Sequence, residues 1–236
     1  MLRAADDLVM LKRLVRAAAR RHGVTACFMA KPIEKYAGSG MHFHVSLSDA
    51  AGRNIFSEAR EGEWSPALLN ALGGLSHTMA EAMLVFAPHA NSWRRFVSRS
   101  YAPVAPTWGV NNRSVALRIP AGDARNRRIE HRPSGVDANP YLVAAAVLAG
   151  IVKGLDEELD PGPETTGNGY EDRHAATDVM PIDWRAAIEG AKASVFLREA
   201  LGHDLHKTFT EIKQAEYLRV ARTVSDLDYH LYLHEV

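Results

Sequence analysis

Three short segments carry side chains whose types and spacing could do chemistry. In Met41-His42-Phe43-His44-Val45-Ser46-Leu47, two imidazoles and a hydroxyl alternate with apolar residues. In 114–119, Ser114, Ala116 and Arg118 alternate with Val115, Leu117 and Ile119. In 128–132, Arg128, Glu130 and Arg132 alternate with Ile129 and His131. A strand sends successive side chains to opposite faces, so each segment read as a strand has one face of polar, ligand-forming groups. If the three share a sheet, those faces form one wall. Imidazole and carboxylate suit a divalent cation. Guanidinium suits phosphate and carboxylate through paired hydrogen bonds. The combination points to a metal-bound polyanion, most simply Mg-ATP, beside an acidic substrate. Each segment alone is a weak signal. A His-x-His strand also occurs on plain surfaces, and an Arg-x-Glu-x-Arg row also forms solvated ion-pair ladders that add little stability. The coincidence of three such segments carries the reading.

Other elements must hold these strands. Leu8, Leu11, Val15, Ala18 and Ala19 recur at helical spacing before Gly23, which predicts an amphipathic helix over 5–22. The apolar run 24–30 reads as a buried strand, with Cys27 as an inert core thiol. Ala37-Gly38-Ser39-Gly40 is a flexible turn before the first polar strand. Ser65-Pro66 has the N-cap and N1-proline pattern of a helix start, and that helix should run to Phe86. Residues 91–106 read as an Arg-rich loop. Asn139-Pro140 opens another capped helix ending near Gly154. Residues 155–182 form a long Pro/Gly-bearing loop, and 183–236 a helical tail with Asp183 and Ser194 as N-caps and Gly202 as a break.

Bulk composition narrows the function classes. The 236 residues suffice for one large domain with a sizeable core. Lys plus Arg and Asp plus Glu are 28 each, which argues against a nucleic-acid binder with a net basic surface. The single cysteine excludes an internal disulfide and fits a reducing cytoplasm. The longest apolar stretch, 141–152, falls short of the roughly 18 residues a membrane span needs.

The motifs are similar to those of a known family. Gly38-Ser39-Gly40-Met41-His42-Phe43-His44-Val45-Ser46-Leu47 resembles the segment of glutamine synthetases that leads into the ATP-site strand. Asn91-Ser92-Trp93-Arg94-Arg95-Phe96-Val97 with Ala102-Pro103-Val104 resembles the glutamate-binding segment. Asn112-Arg113-Ser114 through Arg118-Ile119-Pro120 resembles the phosphate-contact strand. Arg128-Ile129-Glu130-His131-Arg132, then Asp137-Ala138-Asn139-Pro140-Tyr141-Leu142, resembles the metal and substrate strand with its following helix. The motifs stand in family order over nearly the whole chain.

The resemblance implies an α+β catalytic domain over 1–236, with a curved, mostly antiparallel sheet and helices on its outer side. It implies an ATP-dependent ligase that joins the γ-carboxylate of glutamate to ammonia or an organic amine through γ-glutamyl phosphate. His42 and Glu130 are implied as ligands of Mg2+ or Mn2+, and His44, Ser46, Arg118 and Arg128 as nucleotide contacts. Arg113 and Arg118 are implied as catalytic charge-neutralising groups, and Arg95, Arg132 and Gly38 as the glutamate site. It further implies a homo-oligomer in full-length form, and an N-terminal β-grasp domain with further metal-binding glutamates that this chain does not contain.

Local departures bear on the amine. Ala37 and Tyr101 stand where ammonia-using members carry Asn and a guarding Glu, which favours an organic amine, polyamines included. Ser98-Arg99 replaces the family's Pro-Gly. The principal alternative is a catalytically inactive relative kept as a binding or regulatory protein. A guanidino phosphotransferase and a His-x-His metallohydrolase are weaker rivals. The latter lacks further ligands at suitable spacing, since only His230 and His234 form an i, i+4 pair outside the strands.

Overall fold

The computed structural model describes residues 1–57, 63–97, 100–171 and 179–235. Four short strands, β1 (Phe43–Val45), β2 (Trp108–Val110), β3 (Leu117–Ile119) and β4 (Ile129–His131), form one sheet in the order β1-β4-β3-β2. The β1–β4 and β4–β3 pairs are antiparallel, and β2–β3 is parallel. The sheet is thus mostly antiparallel, as expected for an α+β domain.

Helices pack on the apolar side. In chain order, the described α-helices are α1 (Leu2–Arg21), α2 (Pro66–Phe86), the single turn α3 (Ala90–Trp93), α4 (Pro140–Asp156), α5 (Trp184–Ala193), α6 (Val195–Leu201), α7 (His203–Ala221) and α8 (Asp226–Tyr232). Of these, α2 lies directly against β3, and others stack on α2 and α4. The main caps are those the sequence predicts. Ser65, Asn139, Asp183 and Ser194 each accept a backbone N–H of the following turn, and Gly202 breaks the tail at φ 78°. Both α2 and α4 are apolar over most of their length and cross closely. A Cβ on Gly74 would lie 2.1 Å from the Gly150 carbonyl, and one on Gly154 would lie 2.1 Å from that of Asn70. Phe43, Val45, Leu117, Ile119 and Ile129 from the back of the sheet join Leu72, Met79, Met83, Val143 and Val147 in one buried cluster. Burying one face of the sheet in this way fixes its register, because a one-residue slip would turn the apolar set outward.

Four sequence expectations need correction. Residues 24–29 form no strand, and Cys27 is exposed rather than buried. The run is apolar, but it finds no ladder partner. Strand β2 was not anticipated, because a Trp-Gly-Val triplet after a Pro-rich loop is too short to show a period. The loop 91–106 begins within a helical turn, α3. The amphipathic pattern of α1 is real, yet only Ala5 is buried, and Leu11, Leu14 and Val15 face outward. The long loop after α4 is anchored where it is described. Trp108 Nε1 donates to Gly162 O at 2.9 Å, and Thr165 N donates to Trp108 O at 2.9 Å. Residues 172–178 of that loop, and the Ser98-Arg99 departure, lie outside the described residues.

Candidate active site

Register brings the chemistry-bearing side chains together. His44 stands opposite Glu130, and Arg118 stands opposite Glu130 on its other side. With a period of two along each strand, His42, His44, Arg118, Arg128, Glu130 and Arg132 therefore share the face away from the core. The alternation read in 41–47 is visible as burial, with Met41, Phe43 and Val45 inside and His42, His44 and Ser46 outside.

Glu130 is the hub of this face and is only 1% exposed. Arg118 donates to its Oε2 through Nε at 2.7 Å and Nη2 at 2.6 Å. Arg132 Nη1 donates to Oε1 at 2.8 Å, and His42 Nδ1 lies 2.9 Å from the same oxygen. Burial alone would raise the carboxyl pKa. The Arg132 hydrogen bond and the charges of Arg118, Arg132 and His42 outweigh it, and the net shift is downward. Burial, helped by Arg132 and opposed by Glu130, pushes His42 below the usual imidazole range. A neutral His42 facing a carboxylate must donate from Nδ1, which leaves the Nε2 lone pair available. Burial also lowers the pKa of His44, whose Nδ1 accepts from Arg128 Nε at 3.2 Å.

Arg132 is a latch. Besides Glu130 it donates to the carbonyls of Val115, Tyr101 and Arg113, at 3.1, 3.1 and 2.8 Å. It thereby ties the 101–115 segment to β4. Its guanidinium is used by the protein itself, a fact its sequence pattern did not reveal. Arg95, only 5% exposed, lies in a slot cleared by glycines. A Cβ on Gly38 would stand 2.6 Å from Arg95 Cγ, and one on Gly40 would stand 3.1 Å from Nη2.

Three cavities follow β1. One of about 260 Å3 is lined by Ala37, Gly38, Gly40, Arg95 and Ser100. The next, about 300 Å3, is lined by Arg113, Arg118 and Glu130, and His42, Tyr101 and Arg132 border both. Beyond them a polar cavity of about 740 Å3 is lined by Ser46, Ser48, Asn54, Ser57 and Arg125 among others. All ten residues given site roles in the sequence thus lie on this face or along this series of cavities. Ser48, Asn54, Ser57 and Arg125 were missed, because they come from turns whose meeting is set by tertiary contacts, such as Asn54 Nδ2 donating to Arg125 O at 3.1 Å.

The donor set fits a divalent cation in part. His42 Nε2 and the ionised Glu130 are suitable donors, and Mg2+ commonly takes only one or two protein groups, completing its shell with water and phosphate. Among the described residues no group of three or more His, Cys, Asp or Glu could hold a metal.

The sheet and its polar face are those of a known catalytic domain. Residues 1–232 match the family "Glutamine synthetase, catalytic domain", and the chain belongs to it. It is 44% identical over 227 residues to gamma-glutamylputrescine synthetase PuuA of Escherichia coli (strain K12), covering 96% of this chain and 47% of that protein. It is 34% identical over 238 residues to a glutamine synthetase of Halobacterium salinarum, covering 98% and 52%. The solved structure titled "GmaS/ADP complex-Conformation 1" superposes with a TM-score of 0.87 at 33% identity, covering 97% of this chain and 54% of that one. The chain therefore spans about half the length of the relatives it matches. No helix among the described residues is long and apolar enough to cross a membrane.

Proposed function

We propose that this chain is the C-terminal catalytic part of an ATP-dependent ligase that joins the γ-carboxylate of glutamate to an amine. The observation that carries the reading is the adjacency of two small cavities sharing His42, Tyr101 and Arg132, one rimmed by Arg113, Arg118 and Glu130 and the other by Gly38 and Arg95. The first suits the transferring phosphate and the second the carboxylates of glutamate. The larger cavity at Ser46 suits the nucleoside. His44 on β1 and Arg128, the residue before β4, are joined by a hydrogen bond and suit nucleotide contact.

In the proposed reaction a γ-carboxylate oxygen of glutamate attacks the γ-phosphorus of ATP, and ADP leaves. The amine nitrogen then attacks the acyl carbon of γ-glutamyl phosphate, phosphate leaves, and the nitrogen gives up a proton. Arg113 and Arg118 neutralise charge on the transferring phosphate, which is the main demand of phosphoryl transfer. Arg95 orients glutamate, while Arg132 keeps the Tyr101 and Arg113 backbones in position. His42 and Glu130 would hold Mg2+ or Mn2+, which would supply positive charge to offset that of the phosphates. The proposed holoenzyme is a homo-oligomer located in the cytoplasm.

For the amine, we favour an organic one over ammonia. Tyr101 borders both cavities, and a tyrosine gives a neutral, bulky wall where a carboxylate could hold ammonium. The greater identity to a putrescine-using relative than to a glutamine synthetase supports the same choice. A second reading, an inactive binding or regulatory protein, draws on the small donor set among the described residues, where His42 and Glu130 have no third His, Cys, Asp or Glu beside them. The test is ADP release with Mg-ATP, glutamate and a panel of ammonia, monoamines and polyamines. Amine-dependent turnover, fastest with a diamine, is expected of the ligase that contains this chain. ATP binding without turnover under any amine supports the second reading.

A further inference from the structure

Arg95 is a buried cation whose guanidinium makes one hydrogen bond among the described residues, from Nη1 to Pro133 O at 3.2 Å. What balances its charge lies behind the slot. A Cβ placed on Gly135 would stand 3.3 Å from Arg95 Nη1 and 2.2 Å from Asp137 Oδ1, so the guanidinium and this carboxylate flank the same bare α-carbon. Gly135 itself bridges to Gly40 on the cavity wall. Asp137 is fixed by its other oxygen, which accepts from Ser92 Oγ at 2.6 Å. Ser92 is fully buried, and its Oγ also accepts from His89 N at 3.0 Å at the start of α3, one turn before Arg95. Asp137 Oδ1 is buried without a hydrogen-bond partner among the described residues. A carboxylate oxygen left in that state is stabilised only by nearby positive charge.

We infer that Asp137, held by Ser92, is a positioning residue that fixes the buried Arg95 guanidinium for binding the substrate carboxylate. This rests on the proposed role of Arg95 in holding glutamate. Asp137 touches no substrate. It supplies the counter-charge from behind, leaving Arg95 Nη2 toward the cavity at Gly40. Burial lowers the Arg95 pKa, and Asp137 opposes that shift. The competing use of Asp137 is to anchor α1, whose Lys12 Nζ donates to Val136 O at 2.5 Å and also feels the Asp137 charge.

The test uses the full-length ligase and its glutamate and ATP KM values, with calorimetric glutamate titration beside them. Asp137→Asn keeps size and shape. It should raise KM and Kd for glutamate about tenfold while KM for ATP and the thermal midpoint stay near the parent values. Ser92→Ala should shift glutamate affinity in the same direction by less. Lys12→Met should leave it unchanged. If Arg95→Lys leaves glutamate affinity intact, the site reading fails and the inference with it. If Arg95→Lys weakens glutamate and Asp137→Asn does not, the inference alone is overturned. Equal weakening by Lys12→Met and Asp137→Asn also overturns it, since Asp137 would then act through α1.

Discussion

Glu130 and Arg95 are buried charges on one wall, and the chain treats them differently. Glu130 is met directly by Arg118, Arg132 and His42. Arg95 has a carbonyl at Nη1, a cavity at Nη2, and a carboxylate set back behind a glycine. The first carboxylate is neutralised by protein partners that hold three strands in register, and on our reading it also faces the cation. The second leaves guanidinium capacity to be used by something that enters the cavity. Buried charge thus joins cohesion to metal binding at one end of the wall and, on our reading, is kept for glutamate recognition at the other.

Substitutions can break that contrast. Glu130→Ala should be the most damaging, because it strands two arginines at a largely buried site. A loss of about 4 kcal/mol in denaturant unfolding is expected, and a loss below 1 kcal/mol would mean that the hub does not hold the sheet.

Next comes acid. Burial, with the charge of His42, pushes His131 down to about 3, and its ring packs on Phe86. Unfolded chains take up a proton as pH falls through the ordinary imidazole value, while the folded site resists until about pH 3. The stability tied to the neutral ring is therefore complete above the ordinary value and is lost progressively below it, by an amount on the order of 3 kcal/mol at pH 4. The depressed pKa of Glu130 adds loss in the same direction, but only below the ordinary carboxylate range. His131→Phe should flatten the slope between neutral pH and pH 4. An unchanged slope would place the acid sensitivity elsewhere.

Filling the Arg95 slot with Gly38→Ala should cost about 2 kcal/mol through overpacking against Arg95 Cγ and Ala30 O. It should also weaken glutamate more than ATP, whereas the Glu130 variant should weaken both. Smallest is Ser65→Ala, which removes the α2 cap and should cost about 1 kcal/mol with glutamate affinity unchanged.

Much of this wall was legible beforehand, for a physical reason. Period-two alternation in 41–47 and 128–132 fixes which side chains share a face before any pairing is known, and N-caps such as Ser65 and Asn139 fix where helices begin. What could not be read was partner choice. The run 24–30 has strand composition yet meets no neighbouring strand, whereas Trp108-Gly109-Val110 has no visible period but lies beside β3. Arg132 and Arg95 look alike in sequence. Only the fold shows that one is engaged by four protein acceptors and the other is not.

The central claim is that the polar face of β1, β4 and β3 forms one wall for metal-bound nucleotide. Calorimetric titration with ATP, with and without Mg2+, for the parent protein and His42→Ala tests it most directly. The account requires Mg2+-dependent binding that weakens about tenfold or more in His42→Ala while the circular dichroism spectrum stays the same. ATP binding of equal strength in both proteins, or binding indifferent to Mg2+, would contradict it.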